Sequence, residues 1–192
     1  MKKLILIMLG GILFSACNNT VEEYYDDNVP TEIDMVEGIP VKAAVANIQA
    51  TSGSDIKGTV AFTEAEGKVG LEANIIGLSK GKHAIHIHEK GDCSASDGKS
   101  AGGHWNPTGV DHGKWGDEPF HTGDIGNLEA SGDTITVMTL TTDRWCIGCE
   151  DEKKNILNKA IIIHEGPDDF TSQPAGAAGA RIGCAVIEES MM

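Results

Sequence analysis

The sequence has few aromatic residues and few basic ones. Aromatic side chains make up 5% of the 192 residues, while glycine occurs 24 times. This composition favours a turn-rich β protein over a helical bundle. Lysine and arginine number 15 against 29 aspartates and glutamates, which gives a net charge of −14. Phosphate groups are bound by basic surfaces, so this balance argues against nucleic acid as a partner.

The sequence also lacks a hydrophobic run long enough to span a bilayer, which takes about 20 residues. Its clearest apolar run, residues 4–14, follows two lysines and is followed by Ser15-Ala16-Cys17. A basic start, a short apolar stretch and small residues are typical of a secretory signal. The cysteine resembles that of a bacterial lipoprotein signal, so we expect a signal peptide over 1–16 and a lipid on Cys17. The alternative is ordinary secretion with a free Cys17.

Residues 17–40 show no hydrophobic periodicity and carry an acidic run and two prolines. They predict a flexible tether between the lipid anchor and a globular domain over 41–192. We therefore expect an exported protein, anchored to a membrane through Cys17 and facing the periplasm or the cell surface.

The five cysteines are an odd number, which needs an explanation in an exported protein. Lipidation of Cys17 would leave four, and an oxidising compartment favours pairing them. Four cysteines allow three pairings, and their count alone does not choose among these.

Short alternating segments separated by turn residues predict an antiparallel β-sandwich or barrel. Glu66-Gly67 is a predicted hairpin turn. Two long segments rich in glycine, 91–124 and 166–179, show no strand pattern, and loops of such length are usually functional. The predicted strands are 41–51, 58–63, 68–78, 82–88, 134–141, 160–164 and 181–188.

Six of the seven histidines, with one aspartate, show the spacing of a two-metal site. His86 and His88 would share one face of a strand, because side chains alternate along it. Histidine is the commonest metal ligand in proteins. The other candidate ligands are His104, His112, His121, Asp124 and His164, and His83 lies just upstream.

These seven side chains suit two ions of different kinds. Three imidazoles with a carboxylate form a good tetrahedral zinc set, and four imidazoles suit Cu(II). Seven ligands for eight positions require one imidazole to serve both ions through its two nitrogens. His104 is the natural bridge, since it lies between the two groups in sequence.

The candidate ligands other than His112 lie within five ordered blocks of the sequence. The blocks are Ala84-Ile85-His86-Ile87-His88-Glu89-Lys90-Gly91-Asp92-Cys93, Ala101-Gly102-Gly103-His104-Trp105-Asn106-Pro107, His121-Thr122-Gly123-Asp124-Ile125-Gly126-Asn127, His164-Glu165 with Asp168-Asp169, and Gly179-Ala180-Arg181-Ile182-Gly183-Cys184. In this order they resemble the copper/zinc superoxide dismutase family. The resemblance covers about residues 41–190 and includes every metal ligand of the family.

The resemblance implies an all-β fold, a Greek-key antiparallel β-sandwich or flattened barrel of immunoglobulin-like architecture with two long functional loops. It also implies a role for each site residue. Copper would be held by His86, His88, His104 and His164. Zinc would be held by His104, His112, His121 and Asp124.

The remaining implied roles concern residues around the metals. Asp168 would hydrogen-bond His86 and His112, and His83 would tie loops together. Cys93 and Cys184 would form a disulfide. Arg181 would stand beside the copper and orient the anion, and His104 would deliver a proton to the nascent peroxide.

The implied activity is dismutation of superoxide to O₂ and H₂O₂ in extracytoplasmic antioxidant defence. A metal-carrying lipoprotein without turnover is the alternative, and the complete copper set together with Arg181 argues against it. A structural adhesin domain would leave the histidines unexplained. A homodimer and a copper donor protein are further partners compatible with the sequence.

Three features depart from the better-known family pattern. The segment 166–179 carries no lysine, although lysines there commonly steer superoxide. Ala177 stands where asparagine or aspartate is frequent. Cys146 and Cys149 form an added Cys-x-x-Cys, which predicts a second, local disulfide. The alternative is a role in redox chemistry or copper acquisition, since thiolates suit Cu(I).

Overall fold

The computed structural model describes residues 41–132 and 134–190. The predicted signal peptide, Cys17 and the tether lie outside these residues. Among the residues that are described, no helix is long and apolar enough to cross a membrane. Within 41–132 and 134–190 the regular elements are nine strands and one short 3-10 helix, Lys99–Ala101. The strands are β1 Lys42–Ala50, β2 Lys57–Ala65, β3 Lys68–Ile76, β4 Gly81–His88, β5 Asp124–Ala130, β6 Thr136–Thr142, β7 Ala160–His164, β8 Arg181–Val186 and β9 Glu188–Ser190.

All strand pairs are antiparallel and follow the order β5-β4-β7-β8-β1-β2-β3-β6, with β9 added on β1. The pairing of β1 with β8 joins the two halves and involves only two residue pairs, Gln49 with Cys184 and Ala50 with Gly183. β6 returns beside β3 after β4 and β5 have paired in the other half, which is a Greek-key crossover. The predicted all-β, Greek-key flattened barrel is confirmed.

The hairpin between β2 and β3 turns at Glu66 and Gly67, as the sequence predicts. Both residues have positive φ, 51° and 74°, which is the backbone of a two-residue hairpin turn. Ala65 pairs with Lys68 directly across this turn. The turn therefore sets the register that sends Val60 and Phe62 into the core.

The main apolar core fills the barrel and draws on both halves of the sheet. Ile85 and Ile87 of β4 are fully buried in it, and Phe62 meets Trp145 edge to face with 6.3 Å between ring centroids. Trp145 belongs to the segment between β6 and β7, where its indole Nε1 donates to the carbonyl of Thr122 at 2.9 Å. This segment thus anchors the first long loop to the barrel.

β4 positions the site because it lies between β5 and β7 and presents a second, polar face. His86 and His88 alternate with the two core isoleucines, so they point out of the barrel. The loops 89–123 and 165–180 cover this outer face, which is why both histidines are buried although neither belongs to the core.

Candidate metal centre

The structure brings the seven candidate ligands into two groups that share His104. In each group the potential ligand atoms all lie within 4.8 Å of one another, and every member is buried. The first group is His86, His88, His104 and His164. The second group is His104, His112, His121 and Asp124.

His104 reaches the first group because its segment runs back along β4. Trp105 donates its backbone N–H to the carbonyl of Ile87 at 2.8 Å, and His88 and His104 form a β-bridge. The rings of His86 and His104 then lie 4.0 Å apart at their centroids. Bridge pairing thus places a histidine of the long loop against the two histidines of the strand.

Six ring nitrogens in these groups are buried without a hydrogen-bond partner. A buried nitrogen with an unused lone pair costs free energy unless something binds it. The six atoms are His86 Nδ1, His88 Nε2, His104 Nε2, His112 Nδ1, His121 Nδ1 and His164 Nε2. They belong to the ligand groups without exception, which fits sites built to bind metal ions.

In the first group, the other nitrogen of each strand histidine is held by a hydrogen bond. His86 Nε2 donates to Asp168 at 2.8 Å, His88 Nδ1 donates to the carbonyl of Gly102 at 3.0 Å, and His164 Nδ1 donates to the carbonyl of Gly179 at 3.3 Å. Fixing one nitrogen as the donor leaves the other free to bind a metal and sets the ring plane.

Burial keeps the imidazoles of His88, His104 and His164 neutral. It holds the pKa of His88 well below its usual range, with repulsion from His104 adding to the effect. Burial likewise lowers the pKa of His104 to about 4 and that of His164 to about 3. A neutral imidazole is the form that binds a metal, so these rings are ready as ligands near neutral pH.

The second group surrounds the carboxylate of Asp124. Its Oδ1 lies 2.7 Å from His104 Nδ1 and 3.2 Å from His121 Nδ1, and its Oδ2 lies 3.0 Å from His112 Nδ1. Ligands bonded at about 2 Å to a tetrahedral ion lie about 3.3 Å from one another. Three nitrogens and one carboxylate at this spacing fit zinc.

Backbone donors orient Asp124 toward the ring nitrogens. The N–H groups of His121 and Gly113 donate to Oδ2 at 2.8 and 3.1 Å. Burial opposes the charged carboxylate, but the hydrogen bond from His104, the close ring nitrogens of His112 and His121 and the His121 N–H outweigh it and lower the pKa of Asp124. The carboxylate therefore stays ionised in the buried site, as a metal ligand must.

Asp168 touches both ligand groups with one carboxylate. Its Oδ2 accepts from His86 Nε2 at 2.8 Å, and its Oδ1 accepts from His112 Nε2 at 2.9 Å. Burial disfavours the ionised form, but these two hydrogen bonds lower the pKa of Asp168 overall. The contacts are those that the sequence resemblance implies, while their functional role stays a prediction.

His83 belongs to neither group. Its Nδ1 donates to the carbonyl of His164 at 3.1 Å, and its Nε2 accepts from the hydroxyl of Ser79 at 3.2 Å. His83 therefore ties the end of β7 to the turn that precedes β4. This placement is compatible with the structural role expected for it.

Arg181 lies beside the first group at the edge of an open cavity. Its Nη1 and Nη2 donate to the carbonyls of Gly98 and Gly102, each at 2.8 Å. The carbonyl of Gly102 also accepts from His88, so one oxygen fixes both the ligand and the guanidinium. A cavity of about 360 Å³ beside Arg181 includes His164 in its lining.

The described part of the chain contains two disulfides. Cys93–Cys184 joins the first long loop to β8, with 5.8 Å between the Cα atoms. Cys146–Cys149 closes a short loop in the segment between β6 and β7, with 6.0 Å between its Cα atoms. Cys146 and Cys149 belong to neither ligand group, so the structure pairs them locally rather than beside the metal sites.

Several residues that shape the site could not be identified from the sequence. Gly176 has a φ of +66°, and a Cβ there would lie 2.6 Å from the Asp168 carboxyl carbon. Asn127 and Gln173 hold the main chain of Asp168 and of His112 through their side-chain amides. A positive φ and amide contacts between distant loops arise only in the folded chain.

The comparisons with known proteins agree with this geometry. The family model described as copper/zinc superoxide dismutase matches residues 56–187. The chain is also similar to the crystal structure of the clock protein EA4, with 33% sequence identity and a TM-score of 0.68. That alignment covers 76% of this chain and 93% of the other. The matched residues include both ligand groups and Arg181, and the chain belongs to the copper/zinc superoxide dismutase family of oxidoreductases.

Proposed function

We propose that this chain dismutates superoxide with copper and zinc held by the two ligand groups. Copper is assigned to His86, His88, His104 and His164. Zinc is assigned to His104, His112, His121 and Asp124. The observation that carries the proposal is the set of six partnerless buried ring nitrogens, all of which fall in these groups.

The assignment of the two ions follows from the donor sets. Four imidazoles suit copper, and three imidazoles with a carboxylate suit zinc. When bound, copper supplies a one-electron Cu(II)/Cu(I) couple that oxidises one superoxide to O₂ and reduces another to H₂O₂. His104 belongs to both sets, with Nε2 facing the first group and Nδ1 lying 2.7 Å from Asp124.

His104 is also the proposed proton donor. Its Nε2 is buried and has no hydrogen-bond partner among the described residues, so this atom can hold a proton whenever it is not bound to metal. Nδ1 stays on the zinc side, next to Asp124, and keeps the ring in place while the proton is held. The proton on Nε2 would pass to the peroxide, and the second proton of H₂O₂ would come from solvent at the open cavity.

Arg181 orients the anion. Its guanidinium is fixed by two backbone carbonyls, and it lines the same cavity as His164. Burial lowers the pKa of Arg181, yet a guanidinium stays charged near neutral pH. A fixed positive charge at the cavity attracts a small anion and holds it against the first ligand group.

A metal carrier without turnover is the competing function. A carrier needs the ligands but has no use for a guanidinium held at an open cavity. The hydrogen bonds from Arg181 to Gly98 and Gly102 orient that group at some cost in side-chain freedom. This arrangement favours the enzyme.

The cellular setting belongs to the same proposal. The basic, apolar and small-residue pattern over 1–17 supports export with a lipid on Cys17, residues 17–40 as a tether, and the dismutase domain over 41–192. Both disulfides of the described residues suit an oxidising compartment. Replacing Cys17 by serine should abolish incorporation of labelled fatty acid and release the protein from membranes.

The test of the activity is superoxide dismutation by the purified chain after copper and zinc loading, with metal content measured on the same sample. Fast, copper-dependent turnover with about one copper and one zinc per chain supports the enzyme. Two bound metals with no turnover would favour the carrier. An Arg181→Met variant serves as the matched control. It keeps every proposed ligand, so it should bind both metals and turn over superoxide more slowly.

A further inference from the structure

The side-chain amide of Gln173 pairs with the main chain of His112 in both directions. The N–H of His112 donates to Gln173 Oε1 at 2.9 Å, and Gln173 Nε2 donates to the carbonyl of His112 at 2.9 Å. Only one orientation of the amide satisfies both contacts, with oxygen toward the N–H and nitrogen toward the carbonyl. The two residues lie 61 positions apart in sequence.

These are the hydrogen bonds that the described residues provide to the N–H and carbonyl of His112. The ring of His112 is positioned separately, by Asp124 and Asp168. Its main chain lies in the irregular stretch between the 3-10 helix Lys99–Ala101 and β5, so its placement depends on contacts from outside that stretch. Gln173 supplies the contacts to both polar groups.

Gln173 is itself held by a compact turn. The carboxylate of Asp169 accepts from the N–H groups of Thr171 and Ser172 at 2.9 and 2.8 Å and from the Ser172 hydroxyl at 2.5 Å. Gly176 closes the turn by donating its N–H to the carbonyl of Ser172 at 2.7 Å. Because these hydrogen bonds hold the turn, the Gln173 amide is kept in one position against the His112 main chain.

The same glutamine lines the cavity that opens beside His164 and Arg181. One side chain therefore contacts the main chain of a residue in the second ligand group and forms part of the wall of the cavity next to the first. No other role is assigned to Gln173 by the proposed mechanism.

We propose that Gln173 is a positioning residue that clamps the zinc ligand His112 to the second loop and thereby links zinc retention to the wall of the anion cavity. This inference rests on the proposed assignment of His112 to zinc. The clamp acts on the His112 main chain, so its loss should speed the release of zinc before it affects copper.

The test compares Gln173→Met with Gln49→Met in the full, metal-loaded chain. Methionine keeps the length of the side chain and removes both hydrogen bonds. Gln49 is the only other glutamine of the chain and is exposed on β1, far along the sequence from either loop. Zinc and copper release to a chelator is followed on the same samples, together with hydrogen exchange of the His112 and Gly113 amides.

We expect Gln173→Met to release zinc about tenfold faster, the effect of losing two hydrogen bonds of ordinary net strength. Copper release should stay at the parent rate, and Gln49→Met should match the parent in both. The His112 amide should exchange faster in Gln173→Met. The Gly113 amide, which donates to Asp124, should keep its protection.

Equal zinc release in Gln173→Met and in the parent would overturn the inference, and so would an equal rise in zinc and copper release, which would indicate general loosening. A His112→Ala variant separates this failure from that of the proposed function. If His112→Ala loses zinc while Gln173→Met keeps it, the clamp alone is wrong. If His112→Ala retains zinc at full affinity, the zinc assignment is wrong as well.

Discussion

Asn127 and Asp168 are joined by two hydrogen bonds that run in opposite directions. The Asn127 amide nitrogen donates to the carbonyl of Asp168 at 3.0 Å, and the N–H of Asp168 donates to the Asn127 amide oxygen at 2.8 Å. The pair ties β5 to the second loop. It places the Asp168 carboxylate between His86 and His112, so an error in its position would reach both ligand groups.

Replacing Asn127 by alanine should destabilise the metal-loaded protein by about 1–3 kcal/mol, since it leaves the Asp168 main-chain groups unpaired. Thermal unfolding of the loaded chain measures this change. Asn47→Ala, at an exposed position of β1, is the matched control and should unfold like the parent. Equal unfolding temperatures for Asn127→Ala and Asn47→Ala would show that the pair is not needed.

Replacing Asp168 by asparagine should weaken metal binding by about 10- to 100-fold. A carboxylate accepts from both His86 Nε2 and His112 Nε2, whereas an amide offers only one oxygen and turns its NH₂ toward the other ring. Titration of zinc and copper into the metal-free chain measures the loss. Asp143→Asn, which changes an exposed carboxylate, controls for the lost charge. Unchanged affinities for both ions would contradict the bridging role.

Arg181→Met should lower kcat/KM for superoxide by roughly 10- to 100-fold, because the fixed positive charge at the cavity is lost. The rate should also lose part of its dependence on ionic strength. Arg144→Met removes a charge of the same kind at a residue that pairs with Glu118 and does not line the cavity beside Arg181, so it should leave the rate near that of the parent. Stopped-flow decay of superoxide at two salt concentrations measures both effects.

Ala177→Gly should stabilise the chain by about 0.5–1 kcal/mol. Ala177 has a φ of 50°, a left-handed conformation that costs an L-residue with a Cβ free energy and costs glycine little. Ala177→Asn should also be tolerated there, since asparagine visits this region readily. Denaturant unfolding measures the change. Ala175→Gly is the control in the same loop and should destabilise, so a gain in both variants would contradict the explanation.

Zinc binding should release about one proton from the metal-free chain below pH 9. Burial opposes the charged ring of His112, but Asp124 and Asp168 outweigh it and raise its pKa to about 9. This proton must leave before Nδ1 can bind zinc, so zinc affinity should increase as the pH rises toward 9 and level off above it. Calorimetry in buffers of different ionisation enthalpy counts the protons. Release of no proton at pH 7.5 would contradict the raised pKa.

The raised pKa of His112 also makes the stability of the metal-free chain depend on pH. Stability decreases as the pH rises, whereas zinc affinity increases. A group whose folded-state pKa exceeds its unfolded value stabilises the fold at low pH. The contribution of His112 is therefore fully present below about pH 6.5 and is lost as the pH rises through about 9. Unfolding of the His112→Asn variant should lack this pH dependence.

The sequence predicted seven of the strands and missed β5 and β9. β5 begins at the ligand Asp124 and carries Gly126 as its third residue with a φ of 129°, so its pattern resembles the end of a loop. β9 has only three residues and forms by pairing with β1. β4 was predicted because His86 and His88 alternate with apolar residues. A strand with little alternation of polar and apolar residues is hard to recognise from its own sequence when neighbouring strands determine its pairing.

The metal ligands could be inferred from sequence because histidine is rare and its clustering is conspicuous. Asn127 and Gln173 could not, because amide residues are common in loops and their hydrogen bonds join segments that are distant in sequence. The sequence shows that the second loop contains no lysine. It does not show that this loop holds Asp168 and His112. Such roles depend on how the loops meet after folding.

The two faces of β4 separate what makes the protein fold from what makes it react. Ile85 and Ile87 pack inside the barrel, while His86 and His88 on the same strand face the covering loops. Because the apolar core contains none of the proposed ligands, the barrel can assemble before any ion arrives. Folding of the barrel and filling of the metal sites are therefore separable steps, and a metal-free chain should keep its barrel while the side chains of the two ligand groups still lack their ions.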